Sequence, residues 1–165
     1  MNFEALVEKV KHIPYGRNSN RYDFSLVLSE NKGTCSSKHA FLKDYADKND
    51  IGNVKLYIGI FKMSEVNTPI LGDLFSKNDI DYIPEAHCYL KINDIPLDVT
   101  TSESFYDKIK KEILEEIEII PEQVSDFKVD YHKAFLKKWI EETNQNYTFG
   151  EIWDIREQCI QKLSE

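Results

Sequence analysis

The sequence predicts an α+β fold, and three observations predict it. An amphipathic segment opens with Cys35 directly after Gly33-Thr34. Val54, Leu56, Ile58 and Ile60 alternate with other residues between Asn53 and Met63. Two apolar runs, His87 to Ile92 and Ile95 to Val99, meet at Asn93-Asp94. The first has helical spacing behind an N-cap residue, and the other two have the period of strands.

Taken in order, Phe3, Leu6, Val7 and Val10 give a short amphipathic helix over residues 3 to 12, closed by Ile13-Pro14-Tyr15-Gly16. Residues 17 to 33 are polar apart from Phe24, Leu26, Val27 and Leu28, and read as irregular. A helix follows from Cys35 to Asp47, with Phe41, Leu42 and Tyr45 on its apolar side. The strand at 53–63 leads into a long connection, 64–84, with a short helix near Leu71 to Lys77. After the hairpin, the sequence predicts a helix from Ser104 to Glu116, a short strand from Ile117 to Ile120, and a helix from Tyr131 to Thr143. Thr148-Phe-Gly-Glu151 has capping-box spacing and opens a last helix, with Phe149, Ile152, Trp153, Ile160 and Leu163 on one side. No linker divides the chain, so residues 1–165 read as one domain.

Composition narrows the function. Hydrophobic residues at 41% support a buried core, and a net charge of −8 without a basic patch argues against nucleic acid and anionic membranes as partners. That charge also leans away from anionic substrates. The N-terminus lacks the pattern of a secretory signal, and no stretch has the length of a membrane span. Three cysteines without C-x-x-C spacing suit free thiols in a reducing cytoplasm. Asn146-Tyr147-Thr148 has the form of a glycosylation sequon, which carries no meaning in that compartment.

The hairpin carries the chemistry. With Asn93-Asp94 as a two-residue turn, Ile92 faces Ile95, Leu90 faces Leu97 and Cys88 faces Val99, all on one apolar side. Lys91 and Pro96, Tyr89 and Asp98, and His87 and Thr100 share the other side. A slip of one residue would destroy this separation. Cys88 then points into the core, away from His87, as a small buried hydrophobe. His87 and Asp98 are diagonal neighbours, close enough for the carboxylate to fix the imidazole tautomer and leave the other nitrogen for a nucleophile's proton. Cys35 supplies that nucleophile, because a helix N-terminus favours the thiolate and Ser36 and Ser37 leave room beside it. His39, one turn after Cys35, reads as a packing residue, Cys159 as structural, and His12 and His132 as surface residues. A zinc site from Cys35, His39, His87 and Cys88 is the weaker reading, because His87 and Cys88 face opposite sides.

Gly33-Thr34-Cys35-Ser36-Ser37-Lys38-His39-Ala40, then Glu85-Ala86-His87-Cys88-Tyr89-Leu90, then Leu97-Asp98-Val99-Thr100 resemble, in order, the motifs of the transglutaminase-like superfamily. The resemblance covers about residues 14–101, and residues 102–165 form an extension of predicted helices. It implies a papain-like core with the catalytic helix packed on an antiparallel sheet. It also implies Cys35 as nucleophile, His87 as base and then acid, Asp98 as orienter, and no cofactor or metal. Tyr89 stands where the family often has Trp, and Val99 where it often has Pro, so Tyr89 becomes a candidate for the acyl pocket. The Pro14–Asn20 stretch lies where an oxyanion donor is expected, with Asn18 or Tyr15 as candidates.

The expectation is a cysteine hydrolase or acyltransferase acting on a peptide, protein or small amide through a thioester. The alternatives are a catalytically silent binding module of the same fold and a small zinc protein. Hydrolysis and transamidation, the acyl donor and the oligomeric state are not written in the residues.

Overall fold

The structure is a computed structural model and describes residues 1–143 and 145–163. Asn2 starts the first helix, α1 (Phe3–Lys11): its side chain accepts the Ala5 N–H at 2.8 Å, and Leu6, Val7 and Val10 are buried. The apolar group expected in an irregular stretch forms one helical turn, α2 (Leu26–Ser29), with Val27 buried. Thr34 and Ser37 close a capping box at the start of α3 (Cys35–Lys48). The Thr34 hydroxyl accepts the Ser37 N–H at 3.3 Å, and the Ser37 hydroxyl accepts the Thr34 N–H at 3.0 Å. Such a cap is worth about 1 kcal/mol and fixes where the helix begins. Of the apolar side expected for α3, Leu42 is fully buried, while Phe41 and Tyr45 are half-buried and pack on the edge of the core.

Four strands follow: β1 (Val54–Met63), β2 (Ile83–Ile92), β3 (Ile95–Leu97) and β4 (Ile113–Ile119). They form one antiparallel sheet in the order β3-β2-β1-β4. Between β1 and β2 the chain makes a 3-10 turn at Pro69–Leu71 and a short α4 (Leu74–Lys77). The Glu65 carboxylate accepts the N–H groups of Phe75 and Ser76 there, at 2.9 and 2.8 Å. The hairpin turns at Asn93 and Asp94, both at positive φ (51° and 64°), and pairs Ile92 with Ile95 and Leu90 with Leu97. The ladder ends there, so the outer pairs expected at Cys88–Val99, Tyr89–Asp98 and His87–Thr100 do not form. The Val99 N–H donates instead to His39 Nε2 at 2.9 Å. The buried Lys38 ammonium donates to the carbonyls of Ile13, Val99 and Thr100. The backbone of Val99 and Thr100 is thus bonded to α3 rather than to β2.

The helix expected over Ser104–Glu116 is cut short. α5 (Phe105–Ile109) is one turn, and the next residues form β4. The Ile113, Ile117 and Ile119 side chains answer the free edge of β1, and that pairing outweighs the helix propensity of the Lys-Glu-Leu run. α6 (Asp126–Thr143) starts earlier than expected, and α7 (Phe149–Leu163) starts at the Thr148–Glu151 capping box.

Two apolar clusters form. Val10, Ala40, Leu42, Leu56, Ile58 and Leu90 join α1 and α3 to one side of the sheet. Phe61, Met63, Phe75, Leu136, Trp139 and Ile152 join α6 and α7 to the β1–β2 connection. Trp139 is buried, and its indole N–H donates to the Tyr82 hydroxyl at 3.2 Å. Among the described residues no helix is long and apolar enough to cross a membrane.

Gly59 lies opposite His87 in the β1–β2 ladder, under the Tyr89 ring. A Cβ there would stand 2.8 Å from the Tyr89 hydroxyl oxygen and 2.9 Å from Cε1. Tyr89 cannot yield freely, because its hydroxyl crosses β1 to donate to Glu116 on β4. Gly59→Ala is therefore expected to lower unfolding stability by about 1–3 kcal/mol in urea titration, the usual range for overpacking a buried site.

Candidate active site

Cys35 is the first residue of α3, and helix geometry leaves its N–H and that of Ser36 without intrahelical acceptors. Its side chain is 8% exposed and lines a cavity of about 590 Å³. His87 is buried on β2, where β3 no longer covers the strand edge. Asp98 is the first residue past β3, also buried. His87 Nε2 lies 2.7 Å from Asp98 Oδ2. That leaves Nδ1 as the ring nitrogen not engaged by Asp98, and Cys35 is near enough to act on the imidazole's charge.

Asp98 is held from several directions. Oδ1 accepts the Thr100 hydroxyl at 2.6 Å and the Thr100 N–H at 3.0 Å, and Oδ2 accepts the Tyr106 N–H at 2.8 Å. His39, expected to be a packing residue, braces the same loop from α3. Its Nε2 accepts the Val99 N–H, so Nδ1 carries the proton and donates to the Cys35 carbonyl at 2.7 Å. Burial depresses the His39 pKa and keeps it neutral.

The electrostatics separate the charges. Burial would lower the His87 pKa, but Asp98 and then Cys35 raise it to about 10. Burial would raise the Asp98 carboxyl, but the His87 charge and hydrogen bond hold it well below the usual carboxylate range. The Cys35 thiol is pulled well down, first by a hydrogen bond from Cys88, against burial, and then by the charges of Lys128 and His87. Both shifts favour thiolate beside imidazolium.

Cys88 corrects one expectation. It is fully buried and faces α3, as parity predicts, but that side holds Cys35 as well. Its sulfur lies 3.8 Å from the Ser36 hydroxyl. The neighbouring Cys35 and burial push the Cys88 pKa well up, so Cys88 stays protonated.

The three pocket candidates separate. Tyr15 and Asn18 line the cavity. The Asn18 amide, however, is committed to the Glu30 carboxylate at 3.0 Å and the Lys32 carbonyl at 2.8 Å. It holds its loop and has no donor left for an oxyanion. Tyr89 is fully buried, bonded to Glu116, and does not line the cavity.

Sequence reasoning missed the contribution of α6 and α7. Lys128 on α6 donates to the Ser36 hydroxyl at 2.7 Å, and its Nζ lies 3.6 Å from Cys35 Sγ. Arg156 on α7 makes a two-pronged ion pair with Glu85 on β2, at 2.9 and 2.8 Å. His132 is buried rather than on the surface: its Nε2 donates to the Pro84 carbonyl at 2.8 Å. The signal for Lys128 was Ser125-Asp126 ahead of Phe127 and Tyr131, one turn apart. Cys159 is buried on α7, and burial pushes its thiol up to about 12. All three cysteines are free. Among the described residues, no group of three or more His, Cys, Asp and Glu is placed to hold a metal ion. Both ring nitrogens of His39 and one of His87 already have partners.

The chain matches no protein-family model, no curated protein and no solved structure.

These charges predict a selective thiol. Iodoacetamide at pH 6 should modify Cys35 well ahead of Cys88 and Cys159, read by peptide mass spectrometry. Between pH 6 and 8 the Cys35 rate should change less than about threefold, whereas a thiol of ordinary pKa near 8.5 gains nearly two orders of magnitude. Lys128→Met raises the Cys35 pKa, so the rate at pH 6 should fall and its slope with pH should steepen.

Proposed function

We propose that this chain is a cysteine acyl-transfer enzyme of transglutaminase-like kind, with a papain-like arrangement of α3 on the sheet. The observation that carries the reading is the Cys35–His87–Asp98 series: a thiol at a helix start, a buried imidazole on β2, and a carboxylate 2.7 Å from its Nε2, with surrounding charges that favour the thiolate.

Cys35 Sγ attacks an amide carbonyl, and the C–S bond forms as the carbonyl oxygen becomes an oxyanion. The N–H groups of Cys35 and Ser36, without intrahelical acceptors, can donate to it. His87 gives its proton to the leaving nitrogen, the C–N bond breaks, and a thioester remains. His87, now neutral, takes a proton from water. The hydroxide adds to the thioester, the C–S bond breaks, the acid leaves and the Cys35 thiolate is restored beside the imidazolium. Asp98 stabilises the imidazolium in both halves and holds the ring in place. Hydrolysis is the simplest outcome, and an amine in place of water gives transamidation. Free thiols suit a reducing compartment such as the cytoplasm, which we propose as the location.

Trapping the thioester tests this. With p-nitrophenyl acetate, the protein should gain a single acetyl group on Cys35 by intact mass and then lose it. Cys35→Ala should gain none. Asp98→Asn should cut turnover by about 10²–10⁴-fold, the cost of misorienting a catalytic imidazole. A wild-type protein whose Cys35 never acylates while Cys88 or Cys159 does would overturn the assignment.

A further inference from the structure

The walls of the cavity beside Cys35 are charged unlike the rest of the chain. Arg17, Arg21, Lys128, Lys133 and Arg156 line it, against Glu85 and Glu157, although the chain as a whole carries a net charge of −8. Those two carboxylates are already matched. Glu85 is buried in its two-pronged pair with Arg156, and Glu157 receives Arg156 at 2.8 Å and Arg17 at 3.3 Å. Arg21 leans on Asp126 at 3.8 Å. Among the described residues, Lys128 and Lys133 have no carboxylate within ion-pairing distance. Lys128 Nζ rests on the Ser36 hydroxyl and the Cys35 sulfur, and Lys133 Nζ sits 4.9 Å from the centre of the Trp153 ring. Two half-buried lysines on one helix face one cavity, Lys128 set against the Cys35 sulfur and Lys133 against an aromatic ring rather than a carboxylate.

We propose that the cavity accepts an acyl substrate bearing a carboxylate, which the Lys128 and Lys133 ammonium groups receive. This rests on the acyl-transfer reading of Cys35 and adds the substrate class. Lys128 faces both ways, toward the sulfur and toward the cavity, so an anion seated there lies next to the reacting carbonyl. Lys133 is farther along α6 and does not touch the sulfur, so it marks the anion's place independently of the nucleophile. The carboxylate has two sources, an acidic side chain or a free C-terminus, and both present the same group.

Two alkylating agents of equal reach test the charge preference without needing turnover. Iodoacetate and iodoacetamide each form an S–CH₂ bond with the Cys35 thiolate and release iodide, and they differ in carrying a carboxylate or a neutral amide. Their rate ratio at Cys35 cancels the thiolate fraction. Relative to glutathione, the ratio should favour iodoacetate by at least about tenfold, the scale on which a charged cleft raises the local concentration of a counter-ion. Lys133→Gln should lower the ratio about threefold, and 0.5 M NaCl should lower it too. Lys55→Gln, the same charge change on the exposed side of β1, should leave the ratio as it was. Paired peptides then separate the sources: Glu against Gln beside the scissile bond, and a free against an amidated C-terminus.

A ratio at Cys35 no higher than that of glutathione, or one that Lys133→Gln does not move, overturns the anion site. Absence of a thioester from every peptide and activated ester overturns the acyl-transfer reading instead, and leaves the iodoacetate ratio to decide the anion site by itself.

Discussion

β3 pairs with β2 over three residues, Ile95–Leu97, and then leaves the ladder. The geometry around Cys35 depends on that early exit. A longer β3 would cover the edge of β2 at His87 and hold Asp98 in a strand opposite Tyr89. Because the chain leaves, its backbone needs other partners, and α3 supplies them: Lys38 takes the carbonyls of Val99 and Thr100, and His39 takes the Val99 N–H. Lys38 and His39 sit three and four residues after Cys35, about one turn along the same helix. One helix therefore places the sulfur at its tip and pins the Asp98 loop from its flank. The Cys35 thiol and the carboxylate bonded to His87 share a rigid support.

Buried charge makes that support costly to disturb. Asp98, Glu85 and Lys38 are each less than a tenth exposed, and each is fully partnered. Losing one partner from such a group leaves an uncompensated charge, at about 3–5 kcal/mol. The Glu85–Arg156 pair is the clearest case, because it ties α7 to β2 two residues before His87. The last third of the chain is thus held to the site by an ion pair and by the Lys128 contacts with Ser36 and Cys35, as well as by the Trp139 and Ile152 cluster. The cavity exists because α6 and α7 stand against the α3 tip. Without them Cys35 would open onto a shallow surface.

Much of this was legible in the residues, and the failures have physical causes. Asn93-Asp94 specified the hairpin, because both tolerate positive φ, and parity then sorted the side chains of the three pairs that form. Thr34 specified the start of α3, because its hydroxyl and that of Ser37 satisfy each other's backbone N–H. The same parity misled at Cys88. It named the correct side of β2, but which helix covers that side is a tertiary fact, and the helix there begins with Cys35. The Ser104–Glu116 stretch misled because a local helical preference of a few tenths of a kcal/mol per residue loses to a free strand edge on β1. His132 read as a surface residue, and Lys128 drew no reading, because α6 packs its charged side inward, against Glu85 and Ser36, which hydrophobic periodicity does not register.

Net charge was the least transferable clue. The −8 of the whole chain describes a field spread over the surface and screened within about 8 Å at physiological salt. An ammonium nitrogen 3.6 Å from the Cys35 sulfur acts inside that distance, where little water intervenes. The thiolate and the anything-but-acidic cavity next to it therefore feel Lys128 and His87 far more than the carboxylates spread over the exposed helices. The same separation explains why two adjacent thiols behave oppositely. Cys88 and Cys35 cannot both ionise side by side. Lys128 acts on both and the His87 charge on Cys35, and the two thiols shift in opposite directions, Cys35 down and Cys88 up.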